Sequence, residues 1–226
     1  MKVSIVYIYP ANDGEKQTQY ALRFINSYNA NPPGMDHQSI IVLNGAKQNA
    51  EITCMFSSFP NVVFMEHDDS GWDIGAFQVA AKKFPCDLMV FFGGSSFFNG
   101  SGWLARMVAA SIKHGNAQYG CMGNRGNLSV KVWPHIRTTA FWMNPSLFNS
   151  YPVEIRRHEQ RHPFEHGKDC LTAWVASLGL KSWVVTWDTE TEWANWDDHP
   201  EGFHRGSQKA LLAMDHICEK PHYPRR

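Results

Sequence analysis

The sequence predicts an α/β fold in which a mostly parallel central sheet is flanked by helices. Short runs of β-branched and aromatic residues, typical of strands buried on both faces, alternate with segments whose apolar residues recur at helical spacing. Gly and small polar residues follow several of these strands, as expected where a ligand meets the carboxyl ends of parallel strands. The 226 residues, 43% hydrophobic and 19% charged, are enough for one domain with a substantial core.

The first half of the chain shows this alternation most clearly. Residues 3–9 form a nearly continuous apolar run, and in the segment 71–84 the residues Ile74, Phe77 and Ala81 share one helical face. Asp69 or Ser70 is expected to cap that helix. The predicted strands of this half are 3–9, 39–43, 61–65, 87–92 and 119–122, and the predicted helices are 18–28, 71–84 and 102–113.

The second half is less regular, but it contains no repeat and no linker that would divide the chain. An apolar run predicts a strand, and Asn144 followed by Pro145 marks the start of a short helix. The predicted elements are a strand at 138–143, a helix at 145–148, a His- and Arg-rich loop at 154–167, a helix at 168–178, a strand at 182–186, a loop at 187–203 and a helix at 207–217.

Composition and missing motifs exclude several classes of protein. The formal net charge is zero, so no global basic field draws the protein to nucleic acid. Five scattered Cys without a CxxC pair argue against a disulfide framework. The first apolar run is too short for a signal peptide, and no run reaches the length of a membrane span, so we expect a cytoplasmic location. The sequence has no GxSxG, Walker or GxGxxG motif.

Three carboxylates crowd the start of the helix predicted at 71–84. They belong to Asp68, Asp69 and Asp73. A helix N-terminus favours an anion such as a diphosphate, but these acids would repel a bare phosphate. They would instead bind ribose or sugar hydroxyls, or hold a divalent cation. Capping of the helix and relief of the turn by Gly71 explain the same residues, and both interpretations stay open.

Two further segments contain candidate polar residues. Phe91 and Phe92 are followed by Gly93, Gly94, Ser95 and Ser96, small residues that approach oxygens closely but bind metals weakly. In the segment 164–167 (FEHG), Glu165 or His166 is a candidate general base. A place at the start of the next helix would favour the charged form of Glu165, and simple capping is the alternative.

Residues 68–77 (DDSGWDIGAF) and 88–96 (LMVFFGGSS) together resemble the GT-A glycosyltransferases. The likeness is to the branch of rhamnan-synthesis-type and related uncharacterised transferases, which carry an N-x-G-x-D-x-G-A turn and a small polar motif instead of Asp-x-Asp. Residues 135–143 (HIRTTAFWM) look like the later strand of that branch, on the acceptor side. The resemblance covers roughly residues 1–186. The sequence departs from it at Asp69, where an Asn-like residue is expected, and at Gly93–Gly94, which replace a polar residue.

The resemblance implies one glycosyltransferase-like, Rossmann-like domain over residues 1–226. Residues 1–125 would bind the nucleotide-sugar, and residues 126–226 would form the acceptor side and a C-terminal helix. Glu165 would be the catalytic base, and Asp73 the second catalytic carboxylate. The implied nucleotide-sugar contacts are Tyr9 and Asn44 at the base, and Asp69, Gly71, Trp72, Asp73, Ser95 and Ser96 at the ribose, diphosphate and sugar. The implied acceptor-side residues are Arg137, Thr138 and His166.

The implied reaction is displacement of a nucleoside diphosphate from the anomeric carbon, by hexosyl or pentosyl transfer to a hydroxyl. A UDP-sugar is the favoured donor, and the acceptor would be a glycan, a lipid-linked sugar or a small molecule. Mn²⁺ and Mg²⁺ remain open as cofactors. Without Asp-x-Asp, a metal-independent mechanism is also open, in which Arg137 or Lys168 supplies positive charge to the leaving group.

Three alternative functions remain open at this point. Basic stretches around Arg157 and Arg226 would suit a sugar transferase that acts on hydroxymethylated bases in DNA. Nine Trp and the missing Asp-x-Asp would also suit a non-catalytic domain that binds nucleotide-sugars or glycans. The third alternative is a metal-dependent hydrolase that uses His67, Asp68 and Asp69 as ligands.

Overall fold

Ten strands form the framework of the protein, whose computed structural model describes residues 1–10, 15–193, 195 and 208–219. Eight of them make one large sheet, and two short ones make a separate ribbon. The strands are β1 (Val3–Pro10), β2 (Gln38–Asn44), β3 (Val62–His67), β4 (Leu88–Phe92), β5 (Gln118–Gly120), β6 (Gly123–Asn124), β7 (His135–Ile136), β8 (Ala140–Met143), β9 (Ser182–Val185) and β10 (Glu190–Glu192).

The large sheet is mixed and mostly parallel, as the sequence predicts. Its strand order is β10-β9-β5-β8-β4-β1-β2-β3. Four neighbouring pairs are parallel, and three, all involving β8 or β10, are antiparallel. Strands β6 and β7 form the antiparallel ribbon. Because β1, β2, β3 and β4 are parallel neighbours, their carboxyl ends lie together at one edge.

Helices cover both faces of the sheet, and the alternation of apolar residues in β1 explains why. Ile5 and Tyr7 point into one apolar core, whereas Val6 and Ile8 point into the other. The first core is covered by α1 (Glu15–Ala30), α2 (Ala50–Met55) and α4 (Trp103–His114), and the second by α3 (Trp72–Lys83), α5 (Pro145–Asn149), α6 (His158–His166) and α7 (Leu171–Ser177). This arrangement confirms the predicted α/β class.

Two helices were not predicted from the sequence. Helix α2 is only six residues long, too short for an apolar period to emerge; Asn49 caps it by accepting a hydrogen bond from the Ile52 amide at 2.8 Å. Helix α6 replaces the predicted loop at 154–167. Only Phe164 is buried in it, and it contains Pro163, so its sequence lacks the amphipathic pattern of a typical surface helix.

The helix predicted at 207–217 is wrong over the described residues 208–217. This segment is irregular, with a turn at 209–210 and bends at 212–213, and Leu211 bridges to Thr186 while Met214 bridges to Phe97. A short 3-10 turn follows at His216–Glu219. Residues 211–214 are all buried, so the apolar run reflects an enclosed irregular segment rather than one face of a helix. Part of the loop predicted at 187–203 forms β10, and residues 194 and 196–203 lie outside the described part.

No helix within the described residues is both long and apolar enough to cross a membrane. The cytoplasmic location stays a prediction from the sequence.

A partly buried acid, Glu190, joins β10 to α4, and we expect its loss to destabilise the protein. One oxygen of Glu190 accepts from Arg106 at 2.5 Å, and the other is 2.7 Å from Lys113 and 2.5 Å from His114. Although burial opposes the charge, the cationic partners lower the pKa of Glu190 to about 2. Glu190→Gln should therefore lower the free energy of unfolding by about 2–3 kcal/mol at pH 7, measured by urea denaturation.

The pH dependence provides a second readout of this ion cluster. Because the pKa of Glu190 is lower in the folded state than in the unfolded chain, its contribution is complete above about pH 4.5. It is lost as the pH falls toward 2, so wild type and Glu190→Gln should converge there. Glu192→Gln is the matched control, since Glu192 forms a more exposed pair with Lys181 at 2.8 Å. Equal losses in the two variants would contradict a special role for Glu190.

Candidate active site

The carboxyl ends of the parallel strands gather most of the predicted donor-site residues. In the sheet register, Pro10, Asn44 and His67 lie side by side at the ends of β1, β2 and β3. Tyr9 precedes this row and is half-buried, with its ring edge-on to Phe56 at 6.2 Å between centroids. The row places Tyr9 and Asn44 at the edge where ligands of such sheets bind.

Asn44, Asp69 and His67 form a hydrogen-bonded chain at this edge. The Asn44 side chain donates to the Asp69 carboxylate through Nδ2, and its Oδ1 lies 2.6 Å from Nδ1 of His67. A carboxylate only accepts, so Asn44 must direct its amide hydrogens to Asp69 and its oxygen to His67. His67 therefore donates from Nδ1 to Asn44, and in this tautomer Nδ1 does not accept from the Asp69 amide, which lies 3.2 Å away.

The position of His67 in this hydrogen-bonded group explains its protonation state. Its side chain is only 6% exposed, and burial lowers its pKa, against the opposing effect of Asp68 and Asp69. The imidazole is thus neutral near pH 7. Asp68 is 81% exposed and lies 3.8 Å from Nε2 of His67. Asn44 is almost fully buried, and Asp69, which accepts from it, has an αL backbone conformation with φ of 67°.

The two glycines of the turn before and within α3 have a packing role. A Cβ added to Gly71 would overlap the carbonyl oxygen of Ile155, and one added to Gly75 would overlap the carbonyl oxygens of Ser70 and Ile155. The backbone at Ile155 therefore packs directly against the backbone of α3 at Gly71 and Gly75. Gly71 is also the N-cap, with φ of 71°, and no side chain caps the helix, so the predicted capping by Asp69 or Ser70 is wrong.

Asp73 connects the α3 turn to the end of β4. Its Oδ2 atom lies 3.5 Å from the position that a Cβ on Gly93 would take. Gly93 is therefore open to this carboxylate. The adjacent Gly94 carbonyl accepts a hydrogen bond of 2.9 Å from the buried Tyr7 hydroxyl. Burial raises the pKa of Tyr7, and the nearby Tyr9 and Asp73 add to this effect. The two predicted motifs thus meet in the structure.

The two serines after β4 occupy different environments. Ser96 is fully buried and its hydroxyl donates to the Thr139 carbonyl at 3.0 Å, a bond within the protein. Ser95 lies 2.9 Å from Nδ1 of His216, whose ring is 5.8 Å from that of Tyr20. Sequence reasoning missed His216 because it assigned this segment to a helix. Ligand binding by Ser95 stays a prediction.

Glu165 lies in the last turn of α6, which corrects the predicted position at the start of a helix. It is therefore near the negative end of a helix dipole, and side chains compensate for this. Arg161 donates to Oε2 at 2.8 Å from one turn earlier, and the Thr138 hydroxyl donates to Oε1. Its side chain is 14% exposed. Thr138 thus ties the predicted base to the segment that enters β8.

The aromatic ring of Trp72 faces α6 rather than the strand ends. It lies 4.3 Å from the His158 ring, and the Arg161 guanidinium is 5.2 Å from its centroid. Trp72 is 43% exposed. Arg161 therefore contacts both Trp72, at the start of α3, and Glu165. Arg161 and Glu165 are four residues apart, so their pairing could have been predicted if the segment had been assigned as a helix.

The remaining acceptor-side residues lie where α6 meets β7. The backbone of Arg137 donates to the Met122 carbonyl at 2.9 Å, directly after β7. The ring of His166 is 3.7 Å from that of His162 and 5.4 Å from that of His135. The structure therefore brings Arg137, Thr138, Glu165 and His166 together. His135 and His162 complete this group but were not predicted.

The donor atoms near the end of β4 do not fit a divalent cation. Asp73 is the carboxylate next to Gly93, and the following residues are Gly and Ser. In residues 1–10, 15–193, 195 and 208–219, no three His, Cys, Asp or Glu side chains are placed to hold a metal. His67, Asp68 and Asp69 therefore do not form the metal site of the predicted hydrolase. His199 and His204, five residues apart in the sequence and considered as a zinc site, lie outside the described residues.

Known structures share this architecture. No protein-family model and no curated protein sequence matches the chain. The mannosyltransferase PcManGT from Pyrobaculum calidifontis, solved with GDP-Man and Mn²⁺, aligns with a TM-score of 0.51 at 10% identity, over 67% of this chain and 46% of its own. HddC from Yersinia pseudotuberculosis gives 0.47 at 12% identity, over 69% and 83%, and TarS from S. aureus gives 0.46 at 15%, over 68% and 30%.

The protein therefore has a GT-A-like glycosyltransferase fold, as the sequence predicted. The chain spans less than half the length of the mannosyltransferase that it matches. Likeness to the rhamnan-synthesis-type branch stays a prediction.

Proposed function

We propose that the protein is a glycosyltransferase that moves a sugar from a nucleotide-sugar to a hydroxyl acceptor. The observation that carries this proposal is the convergence of Asp73 and Glu165 on the junction between β4 and β8. Asp73 faces Gly93, the Gly93 amide donates to the Thr139 carbonyl at 2.8 Å, and the neighbouring Thr138 bonds to Glu165. Two carboxylates thus flank one short stretch of the sheet edge.

In this proposal the first half of the chain, residues 1–125, binds the donor. Tyr9 would contact the base, and the Asp69 carboxylate, fixed by Asn44, would bind ribose hydroxyls. Asp73, whose carboxylate lies beside Gly93, would orient the sugar. A UDP-sugar is the proposed donor. Among the compared structures, TarS was solved with UDP-GlcNAc and PcManGT with GDP-Man.

The second half, residues 126–226, would bind the acceptor and supply the base. The acceptor oxygen attacks the anomeric carbon, the bond from that carbon to the diphosphate breaks, and the hydroxyl proton passes to Glu165. The departing nucleoside diphosphate takes the electron pair of the broken bond. Thr138 and Arg161 hold Glu165 in place, which is the preorganisation that proton transfer needs.

A thermal-shift titration tests donor binding. A nucleotide-sugar at one hundred times its Kd should stabilise the protein by about 2.7 kcal/mol, or roughly 5–10 °C for a domain of this size. UDP-glucose, UDP-GlcNAc and GDP-mannose should each be added with Mn²⁺, with Mg²⁺ and with excess EDTA. We expect a shift with a UDP-sugar that persists in EDTA. The absence of a shift with every nucleotide would contradict the proposed function.

A pair of asparagine variants makes the same titration specific to the site. Asn44→Ala removes the link between Asp69 and His67 and should abolish most of the ligand-induced shift. Asn29→Ala is the matched control, because Asn29 is exposed and contacts Ser58, away from the strand ends. Equal ligand-induced shifts in both variants would place the nucleotide elsewhere.

A further inference from the structure

A group of basic side chains lies near Glu165, where β7 meets α6. We call His135, Arg137, His162 and His166 the basic cluster. His135 and Arg137 come from β7 and the residue after it, whereas His162 and His166 share one face of α6. The hydrogen bond of 2.9 Å from the Trp133 amide to the His166 carbonyl joins the two segments.

Glu165 is the acid beside the basic cluster, and its two oxygens already accept from Thr138 and Arg161. Burial lowers the pKa of His135 to about 4, and His166 and Arg137 add to this effect. Burial also lowers the pKa of His166, and the neighbouring His162 and Arg137 lower it further. Burial therefore favours the neutral form of His135 and His166, so the permanent positive charge of the cluster is that of Arg137, and these two imidazoles contribute neutral hydrogen-bonding groups.

Arg137 supplies the second, geometric part of the argument. Its Nε atom is buried and meets no hydrogen-bond acceptor in the part of the chain that the structure describes. A buried N–H of a charged group that has no acceptor destabilises the protein, because it has lost its hydrogen bonds to water. Phosphate oxygens bind guanidinium N–H groups in a matched geometry and would recover that cost. His135, by contrast, is fixed through Nδ1 to the Trp133 carbonyl at 2.6 Å.

The order of groups along the sheet edge assigns this phosphate to the acceptor. Asp73 stands next to Gly93, followed by the junction at Thr138 and then Glu165. His166, the residue after Glu165, belongs to the basic cluster, and its ring lies 5.4 Å from that of His135 and 3.7 Å from that of His162. A donor sugar at Asp73 and an acceptor anchored at the cluster would therefore meet at the base.

We propose that the basic cluster binds a phosphate group of the acceptor, which would be a phosphorylated sugar. This inference rests on the proposed function, because a phosphate at the basic cluster belongs to the acceptor only if Glu165 is the base that receives the acceptor proton. The cluster suits one phosphate group rather than a nucleic-acid backbone. His135 is buried, and so is the Nε atom of Arg137. A nucleic-acid backbone binds to an extended exposed surface instead.

Calorimetric titration with inorganic phosphate tests the site without any donor. Wild type should bind phosphate, and Arg137→Gln and His162→Gln should weaken binding roughly tenfold to a hundredfold, the factor for one hydrogen bond to a charged group. His162 is exposed, so its variant tests the site even if Arg137→Gln does not fold. Lys83→Gln is the control, since it removes one positive charge from the far end of α3.

Two further arms separate the sources of phosphate. Saturating UDP should leave phosphate binding unchanged, whereas displacement by UDP would assign the cluster to the donor and overturn the inference. A hydroxymethylated DNA oligonucleotide that competes with phosphate would also overturn it, in favour of a nucleic-acid acceptor. Absence of phosphate binding, or equal binding by wild type and both cluster variants, would do the same. Failure of the nucleotide titration leaves this measurement intact, so the two proposals can fail separately.

Discussion

Replacing Glu165 with Gln is expected to lower kcat for sugar transfer by roughly 10²–10⁴-fold, the usual contribution of a positioned general base. Gln keeps the shape of the side chain and still accepts the Thr138 hydrogen bond, but it does not take up the acceptor proton. Donor binding depends on the other end of the site, so the KM for the nucleotide-sugar should change by less than about threefold. Steady-state kinetics with a labelled donor measures both.

A second acid on the same helix provides the control for this experiment. Glu159 lies in the first turn of α6 and is exposed, so Glu159→Gln removes the same charge without touching Thr138. Its kcat should stay close to that of wild type. If Glu165→Gln retains more than a tenth of the activity, Glu165 positions other groups and is not the base. A similar loss in both variants would point to the stability of α6 instead.

Among glycine-to-alanine substitutions in the candidate site, Gly71→Ala is expected to cause the largest loss in the free energy of unfolding. Gly71 has φ of 71°, which costs an L-residue about 1–2 kcal/mol, and its Cβ would overlap the carbonyl oxygen of Ile155. Overlap with backbone adds about 1–3 kcal/mol because the main chain must shift. Urea denaturation should therefore show a loss of about 2–5 kcal/mol. The ligand-induced thermal shift should fall as well, since Asp69 and Asp73 flank the turn.

Gly102 offers a closely matched control. It is the N-cap of α4, has φ of 82°, and has no neighbouring atom within 4 Å of an added Cβ. Gly102→Ala isolates the conformational cost, and we expect a loss of about 1 kcal/mol with unchanged nucleotide binding. If both alanine variants lose the same stability, the close approach of Ile155 contributes nothing, and Gly71 is required only for its backbone conformation.

The sequence predicted those features whose signal lies in a single segment. The apolar runs gave β1 and β4, and the spacing of Ile74, Phe77 and Ala81 gave α3. Helix α6 was missed because it has one buried apolar residue, Phe164, and therefore no apolar period. Its other stabilising contact is polar, the ion pair of Arg161 with Glu165. Helical spacing of Glu165 and Arg161 was present in the sequence, but it could be read only after the segment was known to be helical.

Other parts of the candidate site depend on contacts between distant segments, which no local pattern reveals. The Asn44 and Asp69 pair was predicted at one edge, but their direct bond, and the role of His67 in it, follow from the register of β2 and β3. The close passage of Ile155 over Gly71 joins residues more than eighty positions apart. The error at 207–217 has the same origin, because the bridges to Thr186 and Phe97 fix the path of that segment.

The irregular segment at 208–219 has a consequence for how the protein is made. Met214 bridges to Phe97, and His216 bonds to Ser95, so the loop after β4 is held by residues about 120 positions later in the chain. During synthesis, the strands within residues 1–125 emerge from the ribosome long before this partner exists. The loop that carries Ser95 therefore takes its final shape only after residue 216 has been added, and nascent chains that lack this segment should contain the sheet without the final shape of this loop.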